Sequence, residues 1–113
     1  MLSKKYKGLF AELYAAFFLR LKFYQILKLR FRSSFGETDI IAKKKDVIIF
    51  VEVKYVVSDR YLYKALKTSN SSRLINNAKF FVSKKHLDNF RIRFDIIYVY
   101  DKMKIRHLKN VYL

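Results

Sequence analysis

The chain contains no cysteine and no proline. The first absence excludes disulfides and thiolate metal sites, and it fits a cytoplasmic protein. The second excludes a proline-rich recognition segment. No apolar run approaches the roughly 18 residues that a transmembrane helix needs. Arg20 and Lys22 interrupt the apolar start of the chain and no small-residue cleavage site follows, so no signal peptide is expected. No internal repeat or linker divides the 113 residues, and a single domain over residues 1–113 is expected.

Acids are scarce. Nine Asp and Glu face 25 Lys and Arg, a formal charge of +16, and the only glutamates are Glu12, Glu37 and Glu52. A domain this basic suggests a polyanionic partner, most simply nucleic acid, with an anionic membrane surface well behind. Lysine excess is also what an AT-rich genome produces, so charge alone decides little. The positions of the few acids say more, because acids inside apolar segments need a reason to be there.

The stretch Gly36–Lys54 concentrates them. Gly36-Glu37-Thr38-Asp39-Ile40-Ile41-Ala42 and Val47-Ile48-Ile49-Phe50-Val51-Glu52-Val53-Lys54 read as two apolar strands joined by a turn at Lys43–Asp46. Glu52 and Lys54 are two residues apart on a strand, so both leave the same face.

Around it, residues 4–21 read as a helix, with Ser3 as a cap and Leu9/Phe10, Leu13/Tyr14, Phe17/Phe18 and Leu21 as its inward stripe. Glu12 sits at the edge of that stripe, where it faces either a cleft or Lys5 and Lys7. Tyr24–Arg32 has period two, with Leu27, Leu29 and Phe31 inward and a basic face of Lys28, Arg30 and Arg32. That face suits a phosphate backbone or a solvated sheet edge equally. Tyr61–Leu66 suggests a short helix and Thr68–Ser72 a polar loop ending in a cap. A helix follows over Arg73–Lys85, with Leu74, Ile75, Ala78, Phe81 and Val82 inward. Arg91–Tyr100 is a further strand, in which Asp95 pairs with a neighbouring arginine. Met103–Leu108 is a short last strand carrying His107 as a surface or edge histidine. Three strands joined by short turns form a meander, and the helix after them brings the next strand back parallel. The fold class is α/β, a mixed sheet with a helix on each face.

A hard cation held by carboxylates serves phosphodiester hydrolysis, and Mg²⁺ takes only one or two of them. Asp39 and Glu52 suffice, with the Val53 carbonyl as a further ligand. Lys54 would orient or activate the attacking water, and Glu12 would contribute from the helix. The alternative is structural: Asp39 caps the turn after Gly36, and Glu52 and Lys54 form a salt bridge. The residues alone weigh the two nearly evenly.

The Asp39…Glu52-x-Lys54 pattern resembles the signature of the restriction-endonuclease-like superfamily, which includes Holliday-junction resolvases. More closely, the chain resembles the YraN-like family of small bacterial predicted endonucleases. Gly8 with Glu12, Phe23–Leu27, Gly36–Ala42, Phe50–Lys54, Arg73-Leu74, Arg93–Asp95, and His107 with Asn110 match its landmarks in order. The resemblance implies a restriction-endonuclease-like αβββαβ core. It also implies catalytic residues Asp39, Glu52, Lys54 and Glu12, with Mg²⁺ or Mn²⁺ on Asp39, Glu52 and Val53. DNA is the expected partner, and the basic face of Lys28, Arg30 and Arg32, with Arg73, is expected to contact it. Resolvase-like relatives act as dimers, so a homodimer is allowed by analogy. Two departures stand against this: Tyr55-Val56 and Asn70 occupy positions where the family usually carries basic residues. They keep open a non-catalytic nucleic-acid-binding module with the same fold, and beyond it a basic interaction protein.

Overall fold

A computed structural model describes residues 4–56, 71–101 and 103–111. Ser3, the Tyr61–Leu66 segment and Thr68–Asn70 lie outside them. The described elements are α1 (Lys4–Leu21), β1 (Gln25–Ser33), β2 (Gly36–Lys44), β3 (Val47–Val56), α2 (Ser71–Lys84), β4 (Arg91–Tyr100) and β5 (Lys104–Leu108). They form one sheet in the order β1-β2-β3-β4-β5. Every neighbouring pair is antiparallel except β3–β4, which is parallel, as the crossover through α2 demands. This is the expected αβββαβ order with β5 added at an edge. The β2–β3 turn is tighter than expected. Lys44 pairs with Val47, and a left-handed Lys45 (φ 56°) with Asp46 closes the hairpin.

β3 is central and covered on both faces, which explains its nearly unbroken apolar sequence. Ile49 and Val51 face a cluster with Ala15, Ala16 and Leu19 of α1, while Ile48 and Phe50 face one with Ala78 and Phe81 of α2. Phe81 meets Phe31 and Phe50 edge-on, with ring centroids 5.0 and 6.0 Å apart.

α1 corrects the expected stripe. Its buried side is Ala11, Ala15, Ala16 and Leu19, whereas Leu13, Phe17 and Leu21 are 52%, 59% and 64% exposed. Leu9 and Phe10 are exposed too, while of the expected stripe Phe18 does pack against the core beneath α1 and Tyr14 is half-buried. The line 11–15–19 lies about 200° around the helix from 9–13–17–21. The alanine side lets the helix approach the sheet closely, and burial of Leu19 contributes roughly 1.5–3 kcal/mol.

β1 also departs from simple alternation. Its register with β2 shifts between Ile26 and Lys28, and Arg30 has φ 53°. Ile26 therefore packs towards α1, Leu27 and Phe31 pack towards α2, and Leu29 is left exposed.

His107 is an edge histidine, as expected, but not a surface one. It lies on edge strand β5, but its side chain is only 3% exposed. Its Nε2 is 2.8 Å from Asp95 Oδ2. Asp95 is fully buried and, as expected, paired with an arginine: Arg93 donates to both its oxygens at 2.9 and 2.8 Å. The Asn110 N–H also donates to Asp95, and Arg93 reaches the Tyr24 hydroxyl. A buried carboxylate with this many donors is well compensated. Sequence spacing conceals the arrangement because β5 delivers His107 from the neighbouring strand.

Candidate active site

The β2–β3 ladder has its last pair at Ile40 and Val51. Beyond it the Asp39 side chain takes the place of a strand carbonyl, its Oδ2 accepting the Val53 N–H at 2.8 Å. Asp39 is thus fixed in the fork where two core strands part. Burial pushes its carboxyl up to about 6. The Val53 N–H opposes that shift, and Glu12, Glu52 and Glu37 reinforce it by repulsion. Four of the nine acids of the chain therefore act on one spot.

The four acids arrive on three elements, Glu37 and Asp39 on β2, Glu52 on β3 and Glu12 on α1. Glu52 and Lys54 share the α2-side face of β3, and Lys54 Nζ lies 2.9 Å from Glu52 Oε1. Glu37, Glu52, Arg73 and Leu74 line a cleft between the start of β2, the end of β3 and the first turn of α2. Gly36 makes this junction possible, since a Cβ there would stand 2.9 Å from the Arg73 carbonyl oxygen. Glu12 enters from α1 and accepts two bonds from Arg30, at 3.2 and 3.0 Å. Arg30 stands opposite Asp39, between the pairs Leu29–Ile40 and Phe31–Thr38.

The basic residues expected to meet phosphate are distributed unevenly. Arg30 is clamped by Glu12, and Arg32 lies 3.5 Å from Glu37. Arg73 lines the cleft, and Lys28 is exposed on β1. The left-handed backbone at Arg30 interrupts the straight row that alternation implies.

Below the cleft is a polar junction that the sequence reading missed. Asn77 of α2 is fully buried and donates to the Phe31 carbonyl (3.2 Å) and to Thr38 Oγ1 (3.0 Å). Its Oδ1 accepts from the Ser33 hydroxyl. This ties α2 to β1 and β2 one residue from Asp39. The available signal was an asparagine inside the apolar line Leu74–Ala78–Phe81.

Among the described residues, no three His, Cys, Asp or Glu stand close enough together to hold a metal ion. The candidate donors remain those expected from the sequence, the carboxylates of Asp39 and Glu52 and the Val53 carbonyl. That set fits Mg²⁺, which keeps several waters and needs only one or two carboxylates.

The family described as "Uncharacterised protein family UPF0102" matches residues 11–99. A UPF0102 protein of Clostridioides difficile is 39% identical over 98% of this chain and all of its own length. One from Clostridium acetobutylicum is 36% identical over 98% of this chain and 96% of its own. One from Agrobacterium fabrum is 35% identical over 94% of this chain and 88% of its own.

Proposed function

We propose that this chain, which belongs to the uncharacterised protein family UPF0102, is a metal-dependent nuclease-like protein that binds DNA and hydrolyses its phosphodiester bonds, with branched or damaged DNA as the substrate class. The observation that carries the reading is Asp39 in the β2–β3 fork, pinned by the Val53 N–H and repelled by Glu12, Glu52 and Glu37. A structural cap would need only the one hydrogen bond, not three further acids.

Asp39 and Glu52 would hold Mg²⁺ or Mn²⁺, with the Val53 carbonyl and waters completing its sphere. Such an ion polarises the phosphodiester and stabilises the leaving oxygen. Lys54, 2.9 Å from Glu52, would orient the attacking water and offset phosphate charge. The Glu12–Arg30 pair would hold the helix side of the fork in place, and Arg73 would meet a phosphate flanking the scissile bond.

The test is cleavage of single-stranded, duplex, flapped and four-way DNA in Mg²⁺ or Mn²⁺. Cutting of at least one substrate is expected, with loss of at least about 100-fold in each of Asp39→Ala, Glu52→Ala and Lys54→Ala. Cleavage indifferent to all three substitutions sinks the mechanism. The second reading is a binding module without turnover. It is favoured by the engagement of Arg30 and Arg32 with Glu12 and Glu37, and by exposed Tyr55 where the family usually has a basic residue. It predicts salt-sensitive binding and no cleavage of any of the four substrates.

A further inference from the structure

The far end of the sheet from the Asp39 fork carries a cationic cleft that the nuclease reading does not use. The β2–β3 turn, the starts of β1 and β4 and the chain after β5 meet there. Tyr24, Lys44, Lys45, Arg91, Arg93 and Lys109 line it. Asp46, the acid on its wall, is occupied by Arg91 at 3.1 and 3.2 Å. Arg93 is occupied by Asp95 and Tyr24. Among the described residues, Lys44, Lys45 and Lys109 have no carboxylate at ion-pair distance. Lys22 stands behind them, its ammonium 3.2 Å from His107 Nδ1. Burial, and then repulsion from Lys109 and Lys44, pulls its pKa below that of an ordinary lysine. Cations that crowd one another while the nearby acids, Asp46 and Asp95, are engaged by Arg91 and Arg93 favour an anion between them.

An aromatic stands beside this cleft. Phe23, the second residue after α1, is 85% exposed and has φ 71°. Its N–H bonds to the Arg20 carbonyl at 3.0 Å, which fixes the left-handed turn. Glycine is the usual residue there, because a Cβ is disfavoured in that conformation. The chain thus carries a large apolar ring in water, on backbone that opposes it. Phe23 also lines a shallow cleft with Arg20, Gln25 and Ile26, joined to the cationic one through Tyr24.

We propose that this end of the sheet binds single-stranded nucleic acid, with a backbone phosphate among Lys22, Lys44 and Lys109 and an unpaired base stacked on Phe23. A free phosphate would have no use for the ring, and a duplex offers no free base face except at its ends. Cations tracking the backbone beside an aromatic platform are the combination that holds single strands with little sequence preference. The site stands whether or not the Asp39 fork cuts DNA.

The test uses the full chain in EDTA, so that no cleavage enters. The probes are a short single-stranded oligonucleotide carrying 2-aminopurine and a blunt duplex of equal length. The chain should bind the single strand more tightly than the duplex and quench the 2-aminopurine. K44Q combined with K109Q should weaken single-strand binding on the order of tenfold or more and flatten the log–log salt slope by about 1.4, from roughly 0.7 per phosphate contact. F23G should abolish the quenching and weaken binding on the order of tenfold, while melting at the same or a higher temperature because glycine suits the left-handed backbone. K79Q with K85Q removes equal charge from α2 and the residue after it, and should change affinity less than about threefold. Should K44Q/K109Q fail to fold, K45Q/K109Q replaces it. The proposal is overturned if the α2 pair weakens binding as much as the cleft pair, if F23G keeps the quenching, or if the duplex binds as tightly with the same dependence on the variants.

Discussion

Asp39 and Asp95 are both withdrawn from water, yet their surroundings push them in opposite directions. Burial raises Asp39 to about 6, with three neighbouring acids adding to it and one N–H opposing. Burial also acts on Asp95, but hydrogen bonds from His107, Arg93 and Asn110 outweigh it and hold the carboxyl at about 2. The stability consequences have opposite signs. Asp95 contributes stability above the unfolded value near 3.8, and that contribution is lost as pH falls towards 2. Asp39 binds its proton more tightly in the folded chain, so its contribution to stability is lost as pH rises from about 4 through about 6. Asp39→Asn keeps an acceptor for the Val53 N–H and removes the charge. In metal-free buffer at pH 7.5 it should melt several degrees above the wild type, with the difference shrinking to nothing near pH 4. Thermal melts across that range check this, and an Asp39→Asn chain that melts lower at pH 7.5 contradicts it. Mg²⁺ at pH 8 should raise the wild-type melting temperature and leave Asp39→Asn unmoved.

Among the elements, the strands were far more legible than the first helix. Period two, short turns and one long connection specify a meander followed by a parallel return, and that is the sheet observed. The pairing of Asp95 with an arginine was readable because the two lie two residues apart on one strand. The inward side of α1 was not readable, because the helix is apolar nearly all round and large residues outweigh alanine in any hydropathy pattern. Only the sheet selects the small side. The Glu12–Arg30 clamp was hidden for a related reason: it depends on a register shift and a left-handed residue in β1 that no periodicity announces. The two sides of α1 should respond oppositely to mutation. Ala15→Leu should cost about 1–3 kcal/mol by overpacking. Phe17→Ser should stay within about 0.5 kcal/mol, as an exposed site does. Urea denaturation of both variants checks this, and equal costs would mean that the exposed side is covered in solution.

At the scale of the whole molecule, charge is divided between the ends of the sheet. Four acids act on the end where β2 begins, and lysines with no acid partner among the described residues gather at the end where β2 closes. Val47 and Glu52 mark the two ends on β3, roughly 17 Å apart at strand rise. No described helix is long and apolar enough to cross a membrane. The division holds only while β1, β2 and α2 keep a single alignment, and Asn77 acts as the key to that alignment. It fits the pair Phe31–Thr38, whose carbonyl and hydroxyl both receive its amide. A one-residue slip of β2 would offer it the side chain of Glu37 or Asp39 instead and bury a carboxylate under α2. Competing alignments are therefore penalised by the same residue that welcomes the right one. Asn77→Leu tests this: it fills the space without reading the hydroxyl, so the chain should stay folded but lose uniqueness. Doubled amide resonances along β1 and β2 in a ¹H–¹⁵N spectrum are the expected result, and one sharp set identical to that of the wild type would remove the key from Asn77.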